Sequence, residues 1–71
     1  MTFEVVVNGG PVRVPDGSTV ADVVARCVPG AAGHRGTAVA VSDEVVPAGR
    51  WGSTPVAPGD RIEVLQAVAG G

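Results

Sequence analysis

The sequence contains no lysine or tyrosine, and it has one cysteine, one histidine, one phenylalanine and one tryptophan among its 71 residues. A single cysteine cannot close a disulfide within the chain and cannot supply the ligands of a structural zinc site. The five basic residues are arginines that occur singly, whereas nucleic-acid binding requires a basic stripe. The composition therefore argues against a disulfide-stabilised scaffold, a zinc domain and a nucleic-acid-binding protein.

Long hydrophobic runs are also missing, since none approaches the roughly 20 apolar residues that span a membrane. The residues that follow Met1 carry no positive charge of the kind that begins a signal peptide. The net charge of −2 is small. We therefore expect a cytoplasmic protein without membrane or nucleic-acid partners.

The residues that are present favour a small folded domain. Apolar residues make up 45% of the chain and charged residues 17%, which is typical of a globular protein rather than a disordered one. Most of the apolar residues are valine and alanine, and β-branched valine suits a pleated sheet. The length permits one domain. We predict a single domain over residues 1–71, with a flexible C-terminal tail at 66–71.

The first fifteen residues have the pattern of a β-hairpin. Phe3, Val5 and Val7 alternate with more polar positions, as in a strand with one buried face. The segment Asn8-Gly9-Gly10 favours a tight turn, because glycine adopts positive φ without strain. Pro11 begins the second strand, and proline is confined to sheet edges because it donates no hydrogen bond. The second strand is therefore predicted at the edge of the sheet.

A short helix is predicted after the turn at Pro15-Asp16-Gly17. Ser18 or Thr19 can cap it, and Thr19 with Asp22 three residues later approximates a capping box. One helical face, at positions i, i+3, i+4 and i+7, carries Val20, Val23, Val24 and Cys27. This face indicates that the helix packs on a sheet.

The rest of the chain predicts three more strands, at 37–41, 45–47 and 61–65, with an irregular segment at 48–58 that holds Trp51. The order is β, β, α, β, short β, β, which predicts an α+β fold of the ubiquitin-like β-grasp type. We expect a mixed sheet of four to five strands packed on one helix, with the first and last strands side by side in the middle. The side chains expected in its core are Phe3, Val5, Val7, Val20, Val23, Val24, Ile62 and Val64.

Side chains that could perform catalysis are scarce. His34 lies in a loop of small residues, where a histidine is usually solvated, and Cys27 lies on the apolar helix face, where it acts as a small hydrophobe. No metal-ligand spacing and no phosphate-binding glycine loop is present. We therefore predict no metal site and no catalytic residue.

The C-terminal end, Gly70-Gly71, is the candidate functional site. Six extended residues span roughly 20 Å, which is enough to reach a partner's active site. Ala69 and Gly70 can thread a narrow channel, because they have little or no side chain. Gly71 would then present an unhindered carboxylate. A frayed terminus without a function is the alternative explanation of this ending.

The sequence resembles the ThiS family, the sulfur carriers for the thiazole ring of thiamine. The matching segments are residues 8–9, 17–20, 36–41, 44–47, 50–51, 58–64 and 66–71. Within the last of them, the ending Gln66-Ala67-Val68-Ala69-Gly70-Gly71 completes the family pattern. MoaD, the small subunit of molybdopterin synthase, shares the Gly-Gly ending, but its tail tends to be rich in phenylalanine and proline.

The resemblance implies a carrier that acts as a co-substrate and is not itself an enzyme. A ThiF-like enzyme would use ATP to adenylate the Gly71 carboxylate, and persulfide sulfur from a cysteine desulfurase would convert it to a thiocarboxylate. A ThiG-like thiazole synthase would then take the sulfur. No cofactor would be bound to the carrier.

Three alternatives share this sequence pattern. The chain could carry sulfur to molybdopterin or to another thiolation pathway. It could be a ubiquitin-like modifier that forms isopeptides with lysines, or a plain β-grasp binding module in which Gly71 has no role.

Val6 and Leu65 are predicted to dock the partner enzymes. Both lie on the sheet face away from the helix, on strands that are neighbours in a β-grasp, so they could form one exposed apolar patch. Scattered surface apolar residues are the alternative, since such residues are common.

Overall fold

The computed structural model describes residues 1–28 and 36–66. These residues form strands β1 (Thr2–Val7), β2 (Gly10–Pro15), β3 (Thr37–Val41), β4 (Glu44–Val46) and β5 (Arg61–Gln66), helix α1 (Val20–Cys27), and a 3-10 helix (Ala48–Ser53). Within these ranges no helix has the length and apolarity needed to cross a membrane.

The strands form a mixed sheet in the order β2-β1-β5-β3-β4. Strand β5 runs parallel to β1 and antiparallel to β3, and both hairpins are antiparallel. The predicted β-grasp arrangement is therefore confirmed, with the first and last strands side by side in the middle of the sheet.

The turn between β1 and β2 has the backbone that its residues predict. Asn8 and Gly9 have φ values of 49° and 83°, as expected for the two central residues of a tight hairpin turn. The following strand lies at the edge of the sheet, as Pro11 predicts, and Pro15 ends it.

Helix α1 begins with the predicted capping box. The Thr19 hydroxyl oxygen accepts a hydrogen bond from the Asp22 amide at 3.3 Å, and the Asp22 carboxylate accepts one from the Thr19 amide at 2.9 Å. These bonds satisfy amides that a helix N-terminus otherwise leaves without partners. The valines of α1 are buried, so the helix covers one face of the sheet, which we call the inner face.

The core confirms most of the predicted residues and adds four. Seven of the eight predicted side chains are buried, whereas Phe3 is half-buried and packs against the others. The four further core residues are Val14, Val39, Trp51 and Val56.

The prediction of an irregular segment at 48–58 is wrong in its first half, because Ala48–Ser53 is a 3-10 helix. Trp51 is its buried residue, with 1% of its surface exposed. The indole Nε1–H donates a hydrogen bond to the Val46 carbonyl at 2.8 Å. The large ring therefore fastens this segment beside the short strand β4.

Candidate functional site

The predicted site residues Ala69, Gly70 and Gly71 lie outside the described residues. Of the predicted tail at 66–71, the structure describes Gln66, which is still part of β5 and pairs with Thr37 of β3. The tail therefore departs from the end of a central strand.

This base of the tail is held on both sides. On one side, β5 pairs with all five residues of β3, from Val41–Ile62 to Thr37–Gln66. On the other side, β1 ends at Val7, and the side-chain amide of Asn8 bonds to the backbone of Val64. The last residues of β5 are therefore anchored to the sheet.

The sheet face away from the helix, the outer face, carries exposed apolar side chains near this base. Leu65 is 67% exposed and Val45 is 71% exposed. Leu65 pairs with Ala38, and Val45 pairs with Ala40, so these residues share one face. We call the four residues, Ala38, Ala40, Val45 and Leu65, the outer patch.

The outer patch, together with Val39 and the charged Glu63, lines a depression of about 110 Å³. Small-molecule sites usually enclose about 300–1,000 Å³, so this depression is too small for a cofactor or substrate. A shallow apolar surface of this kind suits contact with another protein.

The prediction that Val6 and Leu65 form one patch is wrong, although both lie on the outer face. Val6 pairs with Arg61, and Leu65 lies four residues farther along β5, which corresponds to about 13 Å. Val6 is half-buried and lies near charged side chains, including Asp43 and Glu63. The two residues therefore belong to separate parts of the face.

Two other residues were singled out in the sequence, and the structure describes one of them. Cys27 is a half-buried free thiol that packs against the core, and His34 lies outside the described residues. Within residues 1–28 and 36–66, no group of three or more histidine, cysteine or acidic side chains could hold a metal ion.

A larger depression, of about 610 Å³, lies between the end of β2 and helix α1. Two of its polar side chains already have partners in the chain. The Ser18 hydroxyl donates to the Pro15 carbonyl at 2.6 Å, and the Asp22 carboxylate is part of the helix cap. These two groups hold the turn and the helix together, so the depression is a poor candidate for a ligand site.

Sequence reasoning missed Ala38, Ala40 and Val45 as companions of Leu65. Strands were predicted at 37–41 and 45–47, but no faces were assigned to them. The missing information was the pairing register, which depends on contacts between distant parts of the chain.

Comparison with known proteins supports this fold. A model of the ThiS family matches residues 5–71. Among solved structures, the chain is similar to a thiamine biosynthesis protein (ThiS) from Geobacter metallireducens, with a TM-score of 0.75 and 25% sequence identity. That similarity covers 97% of this chain and 100% of the other. A search of curated proteins gave no match.

Proposed function

This chain belongs to the ThiS family, and we propose that it is a sulfur carrier of thiamine biosynthesis whose reacting group is the Gly71 carboxylate. The observation that carries this proposal is the extent of the family match, which includes the Gly70-Gly71 ending. The similar Geobacter structure, which spans the same fold, also supports it.

The proposed chemistry takes place at the end of the tail. A carboxylate is a poor electrophile, so a ThiF-like enzyme first transfers AMP from ATP to Gly71 and releases pyrophosphate. The acyl adenylate has a good leaving group, which allows sulfur to replace AMP. A cysteine desulfurase supplies this sulfur as a persulfide, whose terminal sulfur displaces AMP and forms an acyl disulfide with Gly71. A thiol then cleaves the S–S bond reductively and releases the Gly71 thiocarboxylate, which donates its sulfur to thiazole synthase.

The hydrogen bonds of the described residues support a carrier rather than an enzyme. Several polar side chains hold the fold together: Thr19 and Asp22 cap the helix, and Trp51 anchors the 3-10 helix. A carrier needs a stable body and a reactive end, because its partners supply ATP binding and catalysis. We place this carrier in the cytoplasm with those partners.

The partners are proposed to dock on the outer face. Leu65 immediately precedes Gln66 at the base of the tail, so an enzyme that binds the outer patch lies where the tail begins. Val6 contributes separately, beside the exposed Arg61–Asp43 ion pair. Leu65 is the more exposed of the two and offers more apolar surface to a partner.

Deletion of Gly71 tests the proposed function. The chain is coexpressed with its activating enzyme and a sulfur source, and intact-mass spectrometry looks for replacement of one oxygen by sulfur. We expect the full chain to gain sulfur and the deletion variant to gain none. Gly52→Ala is the control, because a Cβ at this exposed glycine has no heavy atom within 4 Å.

Other outcomes of this experiment would identify other functions. Adducts between the chain and lysines of other proteins would indicate a protein modifier. A thiocarboxylate that supports molybdopterin synthesis but not thiazole synthesis would indicate the related carrier. A deletion variant that still restores thiazole formation in a strain lacking this protein would refute the proposal.

A further inference from the structure

Asn8 has a second structural role beyond the hairpin turn. Its side-chain Oδ1 accepts a hydrogen bond from the Val64 amide at 2.9 Å, and its Nδ2 donates one to the Val64 carbonyl at 3.2 Å. One side chain thus binds both backbone groups of a residue 56 positions away. We call this pair of bonds the Asn8 clamp.

The clamp replaces backbone pairing where β1 ends. The last backbone bonds from the β1 side join Val6 N–H to Asp60 and Asn8 N–H to Ile62, both at 2.9 Å. Beyond this point the chain turns away through Gly9. The Asn8 carboxamide has the same donor and acceptor groups as a peptide unit. It therefore extends the β1–β5 pairing by one step, to within two residues of the end of β5.

We propose that Asn8 is a positioning residue for the reactive tail, because its clamp fixes the direction in which the chain leaves β5. The inference rests on the proposed function. Five residues follow Gln66, and their fully extended length is about 17 Å. When a partner's channel holds a tail of this length extended, a change of about 10° at its base moves its end by about 3 Å. A displacement of that size matters for catalysis, since an error of about 1 Å can cost a hundredfold in rate.

The variant Asn8→Gly isolates the clamp from the turn. The φ of 49° at Asn8 is costly for most residues but not for glycine, so this variant keeps the turn and removes the amide. Ser42→Gly is the matched control. Ser42 also has a positive φ of 50° in a tight turn, its side chain is exposed, and it lies in the β3–β4 hairpin, away from Val64.

Two measurements test the proposal. Hydrogen exchange by NMR reports the Val64 amide, and pyrophosphate release with the ThiF-like enzyme and ATP reports activation of the tail. For Asn8→Gly we expect exchange at Val64 to accelerate by about tenfold or more, because its hydrogen-bond acceptor is lost. We expect kcat to fall about fivefold or more with KM changed less than about twofold, since docking is intact but the carboxylate is misplaced.

The control variant should change neither Val64 exchange nor kcat. An unchanged kcat in Asn8→Gly, or an equal loss of kcat in Ser42→Gly, would overturn the positioning role. Unchanged exchange at Val64 would overturn the clamp itself. If the unaltered chain released no pyrophosphate, the proposed function would be wrong, and Val64 exchange would still decide whether Asn8 holds the base of the tail.

Discussion

The inner and outer faces of the sheet both carry apolar side chains, but among the described residues only the inner face is covered, by helix α1 and the residues packed with it. Ile62 and Val64 point inward from β5 and are at most 6% exposed, whereas Leu65 on the same strand is 67% exposed. Folding explains the burial of the first two residues. It does not explain a large apolar side chain beside the base of the tail. Burial therefore assigns stability to the inner face, whereas partner binding at the outer face is our proposal.

The largest expected effect is on stability, from a change on the inner face. Ile62→Ala removes a fully buried side chain and leaves a cavity, which should lower the free energy of unfolding by about 3 kcal/mol. Urea denaturation followed by Trp51 fluorescence measures it. Leu65→Ala, three residues along the same strand but on the outer face, is the control and should cost less than about 0.5 kcal/mol.

Equal losses for Ile62→Ala and Leu65→Ala would contradict the assignment of stability to the inner face. If Ile62→Ala fails to fold, the milder Ile62→Val should cost about 1 kcal/mol. The loss of stability in Ile62→Val would then be compared with that in Leu65→Ala.

A smaller effect of opposite sign is expected at the edge of the inner face. The Thr37 Oγ1 atom is buried and has no hydrogen-bond partner among the described residues. Thr37→Val replaces it with a methyl group of similar shape and should raise the free energy of unfolding by about 1 kcal/mol. In contrast, the Thr54 hydroxyl donates to the Arg50 carbonyl at 2.7 Å.

Thr54→Val is therefore a control with the identical chemical change, and it should destabilise the protein by about 1 kcal/mol. Thermal unfolding measures the change in stability of Thr37→Val and of Thr54→Val under the same conditions. A loss of stability in Thr37→Val would show that this hydroxyl has a partner that stabilises the fold.

The smallest expected effect on stability comes from the outer patch. The double variant Leu65→Asp, Val45→Asp should change the free energy of unfolding by less than about 0.5 kcal/mol, because both side chains are exposed. Its affinity for the ThiF-like enzyme should nevertheless fall at least about tenfold, since two apolar contacts are lost and two charges would be buried. Scanning calorimetry measures the free energy of unfolding, and titration with the ThiF-like enzyme measures the affinity.

The control for the outer patch is the double variant Thr2→Asp, Arg13→Ala. It makes the net charge more negative by the same two units, at positions on the outer face that lie far from the tail. Val6→Asp measured alone tests whether that residue contributes to docking. Unchanged affinity in the double variant would remove the partner-binding role of the outer patch.

Local sequence signals predicted most of the fold. The capping box of Thr19 and Asp22 and the Asn8-Gly9 turn act within a few residues, so their geometry follows from the sequence alone. The order of the strands followed from the pattern of elements. The 3-10 helix at Ala48–Ser53 could not be predicted, because a segment with two glycines has weak helical propensity and is held by burial of Trp51 against distant residues.

The chemistry expected at Gly71 stays a prediction, whereas the surroundings of the tail can be compared with the structure. The alternation of β5 and β1 placed Leu65 and Val6 on the correct face, but their separation depends on the register between strands more than 50 residues apart. The same limit explains why Asn8 was understood only as a turn residue. Its bonds to Val64 depend on that register, which no local pattern encodes.

The two prolines of β2 have a consequence for how the protein meets other chains. Backbone groups of Glu4 and Val6 point toward β5, where they bond to Gly59 and Asp60. In an antiparallel pair, the residues opposite them on β2, including Pro11, therefore direct their backbone outward. By the same alternation, the backbone of Pro15, which is opposite Thr2, also points outward. Neither proline has an amide hydrogen to donate at that edge.

A strand of another chain that approaches β2 would meet three outward-facing backbone positions, Pro11, Arg13 and Pro15. Of these three, only Arg13 has an amide hydrogen to donate. Such an edge resists the strand-to-strand growth by which small β-rich proteins form fibrils. A protein with an exposed apolar patch, which we propose to bind its partner enzymes in turn, is therefore protected from polymerising along this side.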